Sequence, residues 1–202
     1  MTRLLTVIFT VAAIAASTGL AKADEEFNPL LQLFGGGARS GAGPIPRTTV
    51  SYPNNYAPGT IVVDTKERRL YLVQNNSQAL RYGIGVGRDG FRWGGVHRIT
   101  AKKEWPAWTP PAQMLRRRPD LPRHMVGGPD NPLGARAMYL GSTLYRIHGS
   151  NEPETIGQAV SSGCIRMVNE DVMDLYTRVK VGTKVVVLGD GKGPPPAATA
   201  AR

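Results

Sequence analysis

Between Gly59 and Leu188 the apolar residues come in short runs of branched and aromatic side chains, broken by polar turns or glycines, and few of them recur at helical spacing. That pattern restricts the chain to a mainly β domain, because such side chains suit a pleated surface and helices need an apolar stripe every three to four residues. "GTIVVDTKERRLYLVQNN" predicts a hairpin, with strands at Ile61–Val63 and Leu70–Val73 around a polar turn. "LRYGIGVGRDG" alternates at Tyr82, Ile84 and Val86, "VHRITAKKEW" makes a further strand, "AMYLGSTLYRIHG" a pair around Gly141 and Ser142, and "KVVVLG" a last one. Two segments show helical spacing. One is "ETIGQAV"; the other is "NEDVMDLYTRV", with Val172, Leu175, Tyr176 and Val179 on one face and Asn169 as its expected N-cap.

The flanks have a different character. Arg3, an apolar run from Leu4 to Leu20 and the small residues Ala21 and Ala23 form the three-part pattern of a secretory signal peptide, so residues 1–23 are expected to be cleaved; an uncleaved anchor is the alternative. Residues 24–58 are dense in Gly, Pro, Ser and Asn and read as a linker or loosely packed arm, and residues 189–202 as a disordered tail. With 202 residues in all, one folded unit over 59–188 accounts for the remainder. No later apolar run approaches the ~18 residues a span requires, so no stable membrane span is expected after cleavage.

Inside the unit, residues 105–134 carry many prolines and arginines, including Arg116, Arg117, Arg118 and Arg123. So many φ-restricted positions with two tryptophans predict an ordered lid or groove wall; its arginines would meet substrate carboxylates or be merely solvated. The formal charge is +10, and removal of residues 1–23 takes away Arg3 and Lys22 but no acid, leaving +8. A basic exported chain points to anionic wall or headgroup surfaces. Nucleic acid is not expected, because no reading motif or aromatic platform accompanies the charge.

Cys164 is the only cysteine, so no internal disulfide can form in a compartment that favours disulfides. It is a free thiol, an intermolecular link or a small buried residue. A thiol becomes a nucleophile only beside a proton acceptor, and the chain has three histidines. His148 closes an apolar strand sixteen residues before the thiol, whereas His97 sits within a strand pattern and His124 within the lid. Gly149 and Gly163 flank the two groups and permit close backbone approach, which makes the Gly163 and Cys164 N–H groups candidates for stabilising an oxyanion.

"IHGSNEPETIGQAVSSGCIRMVNEDVMDLY" resembles the signature of the L,D-transpeptidase catalytic domain, or YkuD, family: an H-G, then S-x-G-C followed by an apolar residue and Arg or Asn. The similarity extends to "IVVDTKERRLYLV", "YGIGVGRDG" and "NPLGARAMYLG", and covers about 59–188. The resemblance implies a β-sandwich with one or two short helices and a long lid loop. It implies Cys164 as nucleophile, His148 as base and then acid, and the Gly149 backbone carbonyl as the group that fixes the imidazole tautomer. Ser161 occupies the family's Ser/Thr position and is expected to support the turn, and Ser161, Ser162 and Arg166 are the expected substrate-binding residues. Arg166 stands where relatives have Arg or Asn, and would either pair with a substrate carboxylate or bind its own loop. One departure is Ser162, where many relatives have histidine.

The implied reaction joins Cys164 to the third-residue carbonyl of a peptidoglycan stem tetrapeptide and releases D-alanine. A second stem, an envelope protein or water then takes the acyl group, so that the product is a diaminopimelate-to-diaminopimelate cross-link, a wall-attached protein or a trimmed stem. The implied location is the periplasm. No cofactor or metal is expected. The alternatives are an L,D-carboxypeptidase and a non-catalytic peptidoglycan-binding protein on the same fold.

Overall fold

The computed structural model describes residues 44–189. The expected signal peptide, the first part of the arm and the tail beyond Gly189 lie outside the described residues. The strands, in chain order, are β1 (Thr48–Ser51), β2 (Ile61–Asp64), β3 (Arg69–Val73), β4 (Gln78–Gly83), β5 (Val86–Gly87) and β6 (Gly95–Glu104), followed by β7 (Arg136–Leu140), β8 (Arg146–His148), β9 (Ala159–Ser161), β10 (Ile165–Arg166) and β11 (Lys184–Leu188). Two helices, α1 (Ala112–Arg117) and α2 (Asn169–Arg178), and one 3-10 turn at Pro153–Thr155 complete the described elements.

Nine strands run in the order β1-β4-β3-β2-β11-β6-β7-β8-β10, with β5 and β9 paired separately. The long β6 turns this ribbon into a sandwich. Its first half pairs with β11 and its second half with β7, and the register shifts between Ile99 and Ala101, where the extra residue bends the strand from one layer into the other. The two layers enclose one core. Ile61, Leu70 and Tyr82 meet Ile99, Met138, Leu140, Ile147 and Ile165, and α2 closes the core with Val172 and Leu175. The mainly β sandwich expected from the sequence is therefore what the chain forms.

The β2–β3 hairpin lies where the apolar runs put it, with Ile61 opposite Leu72 and Val63 opposite Leu70. Three details differ from expectation. The arm does not stay loose up to residue 58: β1 adds to the edge of β4, and Val50, Tyr52 and Tyr56 cover a small apolar cluster of Val62, Tyr71, Val73 and Ala79 on the outer face. Tyr52 stacks on Tyr71 at 4.5 Å, so apolar burial won over a loop-like composition. "ETIGQAV" is not a helix. Gly157 adopts φ +91° and ends the 3-10 turn, after which Ala159–Ser161 pairs in parallel with β5. Asn169 is the first residue of α2 rather than its cap, since its Oδ1 is taken by the Ala135 N–H at 2.9 Å.

Candidate active site

Strands β8 and β10 are parallel neighbours, with Ile147 opposite Ile165 and His148 opposite Arg166. Side chains alternate across a strand, so fully buried Ile147 and Ile165 point into the core and their neighbours point the other way. Arg146, His148, Cys164 and Arg166 accordingly line one cavity of about 940 Å³, Cys164 from the turn that leads into β10. Sixteen residues separate the histidine from the thiol in sequence, and one strand spacing separates their strands.

The His148 ring is buried, and its Nδ1 lies 2.6 Å from the Gly149 carbonyl oxygen. A carbonyl only accepts, so Nδ1 carries the proton and Nε2 keeps its lone pair. Burial, together with the positive charge of Arg166 and Arg146, pushes the imidazole down to about 3 despite the opposing pull of the Gly149 carbonyl. The ring is thus neutral at physiological pH and able to accept a proton. Cys164 is half-buried, with Sγ 4.0 Å from the Leu144 carbonyl. Among the described residues no hydrogen bond joins Sγ to the ring.

The turn that presents the thiol is fixed on every side. Ser161 is buried, and its Oγ donates to the Cys164 carbonyl at 2.6 Å while accepting the Gly163 N–H at 3.1 Å. Ser161 borders the cavity, and its hydroxyl is engaged within the turn. The Gly163 N–H, expected to face an oxyanion, is committed to that hydroxyl, which leaves the Cys164 N–H as the candidate donor. Gly163 adopts φ +108°, and a Cβ there would lie 2.3 Å from the Tyr145 ring, so both backbone and space demand glycine. The Trp93 indole N–H donates 2.7 Å to the Gly163 carbonyl, and Trp93 stacks on Tyr145 at 4.7 Å. Burial and the neighbouring Cys164 both raise the Tyr145 hydroxyl above its ordinary value.

Gly149 is held just as closely. A Cβ there would fall 2.2 Å from Asn169 Oδ1, and Gly134 packs beside it. The residue whose carbonyl anchors the histidine thus packs against the start of α2.

Ser162 and Arg166 line the cavity, and Arg166 is paired with Glu152 at 2.9 Å. The 105–134 segment forms one wall. It contains α1 and a β-bridge in which Trp108 and Met125 exchange backbone hydrogen bonds of 2.8 Å. Buried Asn131 ties its far end by donating to the Val126 carbonyl at 2.8 Å and accepting the Leu133 N–H at 2.9 Å. Phe91 joins the wall to the glycine-rich loop, with the Arg88 and Arg117 guanidinium groups 4.9 and 5.1 Å from its ring centre. His124 sits in this wall at 3.2 Å from the Thr109 hydroxyl, and His97 lies on β6 edge-on to Trp93. The contributions of Trp93, Tyr145, Phe91 and Asn131 were not foreseen, and only the tryptophan among the glycines of "FRWGG" hinted at a buried anchor. Among the described residues no three His, Cys, Asp or Glu side chains cluster as metal ligands.

A thiol-bearing turn, a tautomer-fixed histidine and a sandwich of this topology stand beside what comparison with known proteins finds. Residues 58–187 match YkuD, the L,D-transpeptidase catalytic domain. The chain belongs to this family. It is 40% identical over 137 residues to "Probable L,D-transpeptidase ErfK/SrfK" of Escherichia coli K12, which covers 63% of this chain and 43% of that protein. It is also 40% identical over 134 residues to "Probable L,D-transpeptidase YbiS" of the same strain, covering 62% and 43%. The chain thus spans less than half the length of these curated relatives. Among solved structures, L,D-transpeptidase 3 of Mycobacterium tuberculosis superposes with a TM-score of 0.53 at 15% identity, over 64% of this chain and 60% of that one, which shows a shared fold. No described helix is long and apolar enough to cross a membrane.

Proposed function

We propose that this L,D-transpeptidase family member is a periplasmic enzyme that acts on peptidoglycan stem tetrapeptides through a Cys164 acyl-enzyme. The observation that carries this reading is His148, anchored through Nδ1 on the Gly149 carbonyl and facing the same cavity as the thiol. The reading includes export by the N-terminal signal pattern, which supports a periplasmic location.

In the first half-reaction His148 Nε2 takes the thiol proton as Sγ attacks the carbonyl of the third stem residue. A C–S bond forms, and the oxyanion is met by the Cys164 N–H. Collapse breaks the C–N bond to D-alanine, whose amine leaves with the proton held on His148. In the second half-reaction an acceptor amine attacks the thioester. A C–N bond forms, the C–S bond breaks, and the surplus proton returns through His148 to the thiolate. Ser161 keeps the turn in place throughout, while Ser162 and Arg166 border the path of the incoming stem. The acceptor favoured here is the third-residue side-chain amine of a second stem, with an envelope protein as the variant that attaches protein to the wall.

Incubation of the folded protein with tetrapeptide muropeptides, resolved by mass, tests the reading. The expected products are free D-alanine and a dimer linked between third residues. Tripeptide without dimer would make water the acceptor and the enzyme a carboxypeptidase. Unchanged tetrapeptide would leave a non-catalytic wall-binding protein on this fold.

A further inference from the structure

The cavity has six arginines on its walls, Arg88, Arg92, Arg117, Arg118, Arg146 and Arg166, against two acids, Asp130 and Glu152. Most of the arginines have a role within the protein. Arg88 and Arg117 hold Phe91, Arg118 pairs with Asp120, Arg92 with Asp89 and Arg166 with Glu152. Arg146, like Arg88 and Arg117, forms no ion pair with a carboxylate among the described residues, but among these six arginines it is the one whose Nε is buried without a hydrogen-bond partner.

Strand alternation sets Arg146 two residues before His148 on the same face of β8, so it lies on the histidine's side of the cavity. Its guanidinium is already oriented. Nη1 donates to the Leu144 carbonyl at 3.1 Å, and the group lies 5.2 Å from the ring centre of Tyr139, its cross-strand partner on β7. Its Nε, in contrast, is buried and has no hydrogen-bond partner. A buried donor without an acceptor costs stability and calls for an explanation, and on a charged group the cost is greater. An arginine that is preorganised, short of one acceptor and set in a cavity rich in positive charge is suited to a carboxylate held side-on, the geometry in which Nε and an Nη donate together.

We propose that Arg146 binds a carboxylate of the donor stem peptide, so that the site selects stems with free carboxylates over stems in which they are amidated. This rests on the transpeptidase reading given above. Besides the terminal carboxylate of the leaving D-alanine, which is common to every donor, a stem tetrapeptide offers two carboxylates that amidation can mask, that of the second residue and the one on the side chain of the third, and the assignment is to one of these two. The assignment also bears on the base. Arg146 and Arg166 both push the His148 imidazole down, and an anion on Arg146 offsets part of that push when the substrate is bound, at the stage when His148 must hold a proton.

The test uses the full chain and three tetrapeptides: both carboxylates free, only the second residue amidated, and only the third-residue side chain amidated. Release of D-alanine gives kcat/KM for each, and calorimetry with Cys164→Ala gives each Kd without turnover. One amidation is expected to weaken both quantities by about 10- to 100-fold, and the stem that shows the loss identifies the carboxylate bound. Arg146→Gln is expected to reduce this discrimination to within about twofold, and Arg146→Lys to restore part of it, since the charge returns without the fork. Equal use of all three stems by the wild type would overturn the assignment while leaving the transpeptidase reading intact. Discrimination that survives in Arg146→Gln would overturn it as well. Neither binding nor turnover of any stem by folded protein would overturn the transpeptidase reading itself, and the assignment with it.

Discussion

The turn that carries Cys164 and the wall formed by residues 105–134 face each other across one cavity, yet they are held by different means. The turn is over-determined. The Ser161 hydroxyl makes two hydrogen bonds, the Trp93 indole makes a third, and the Tyr145 ring fills the space a Gly163 side chain would need. The wall is pinned at the Trp108–Met125 bridge and at Asn131, and meets the opposite loop through two arginines on one phenylalanine ring. The proposed role of Cys164 as nucleophile would require a position fixed to within fractions of an ångström, which a turn built into the core provides; a wall that borders a cavity needs only to be shaped.

If that contrast holds, changes in the turn should cost far more than changes at the wall. Gly163→Ala puts a Cβ at a positive φ and against Tyr145, and should lower stability by on the order of 2–5 kcal/mol. Acylation of Cys164 should slow at least about 100-fold, because a displaced nucleophile misses its carbonyl. Thermal unfolding and acylation rate check the pair, and a variant within about 1 kcal/mol of wild type would remove the turn's claim to rigidity.

At the wall, Phe91→Leu keeps apolar volume but removes the face that Arg88 and Arg117 share. Each such contact contributes only about 0.5–1 kcal/mol where exposed. A two- to fivefold rise in KM with kcat within about twofold is expected from steady-state kinetics. A collapse of kcat would mean that the wall positions the chemistry as tightly as the turn does.

The smallest effect concerns pH. His148 has been pushed down from 6.5 to about 3, so falling pH begins to protonate it only far below neutrality. Acylation through a neutral His148 should therefore change less than about twofold between pH 7.5 and 5, whereas an ordinary histidine would lose roughly 30-fold. An acid limb near 6.5 would show that the buried, positively flanked environment does not govern the base. The same shift affects stability. The unfolded chain binds the extra proton between about 3 and 6.5, so this group's contribution to folding falls as pH drops through that window.

Much of this was legible in the residues. The branched and aromatic runs located the β2–β3 hairpin and the β7–β8 pair, because a strand's side chains report which face is buried. The helical spacing of Val172, Leu175 and Val179 located α2 for the same reason. Cys164 and His148 stood out by rarity and by their glycine neighbours. What could not be read was determined by partners distant in sequence. Ala159–Ser161 became a strand because β5 lies beside it, and Asn169 gave up its cap because the Ala135 N–H lies within reach. Trp93 and Arg146 have no motif of their own, since one acts through a contact seventy residues away and the other through the face of a strand.

The central claim is that Cys164 forms a covalent acyl-enzyme with His148 as its base, and the intact mass of the protein after exposure to a carbapenem tests it most directly. The account predicts one added carbapenem mass on the wild type, none on Cys164→Ala, and acylation slowed by on the order of 100-fold or more in His148→Gln. A folded wild type that stays unmodified, or a Cys164→Ala variant that still gains the mass, would contradict it.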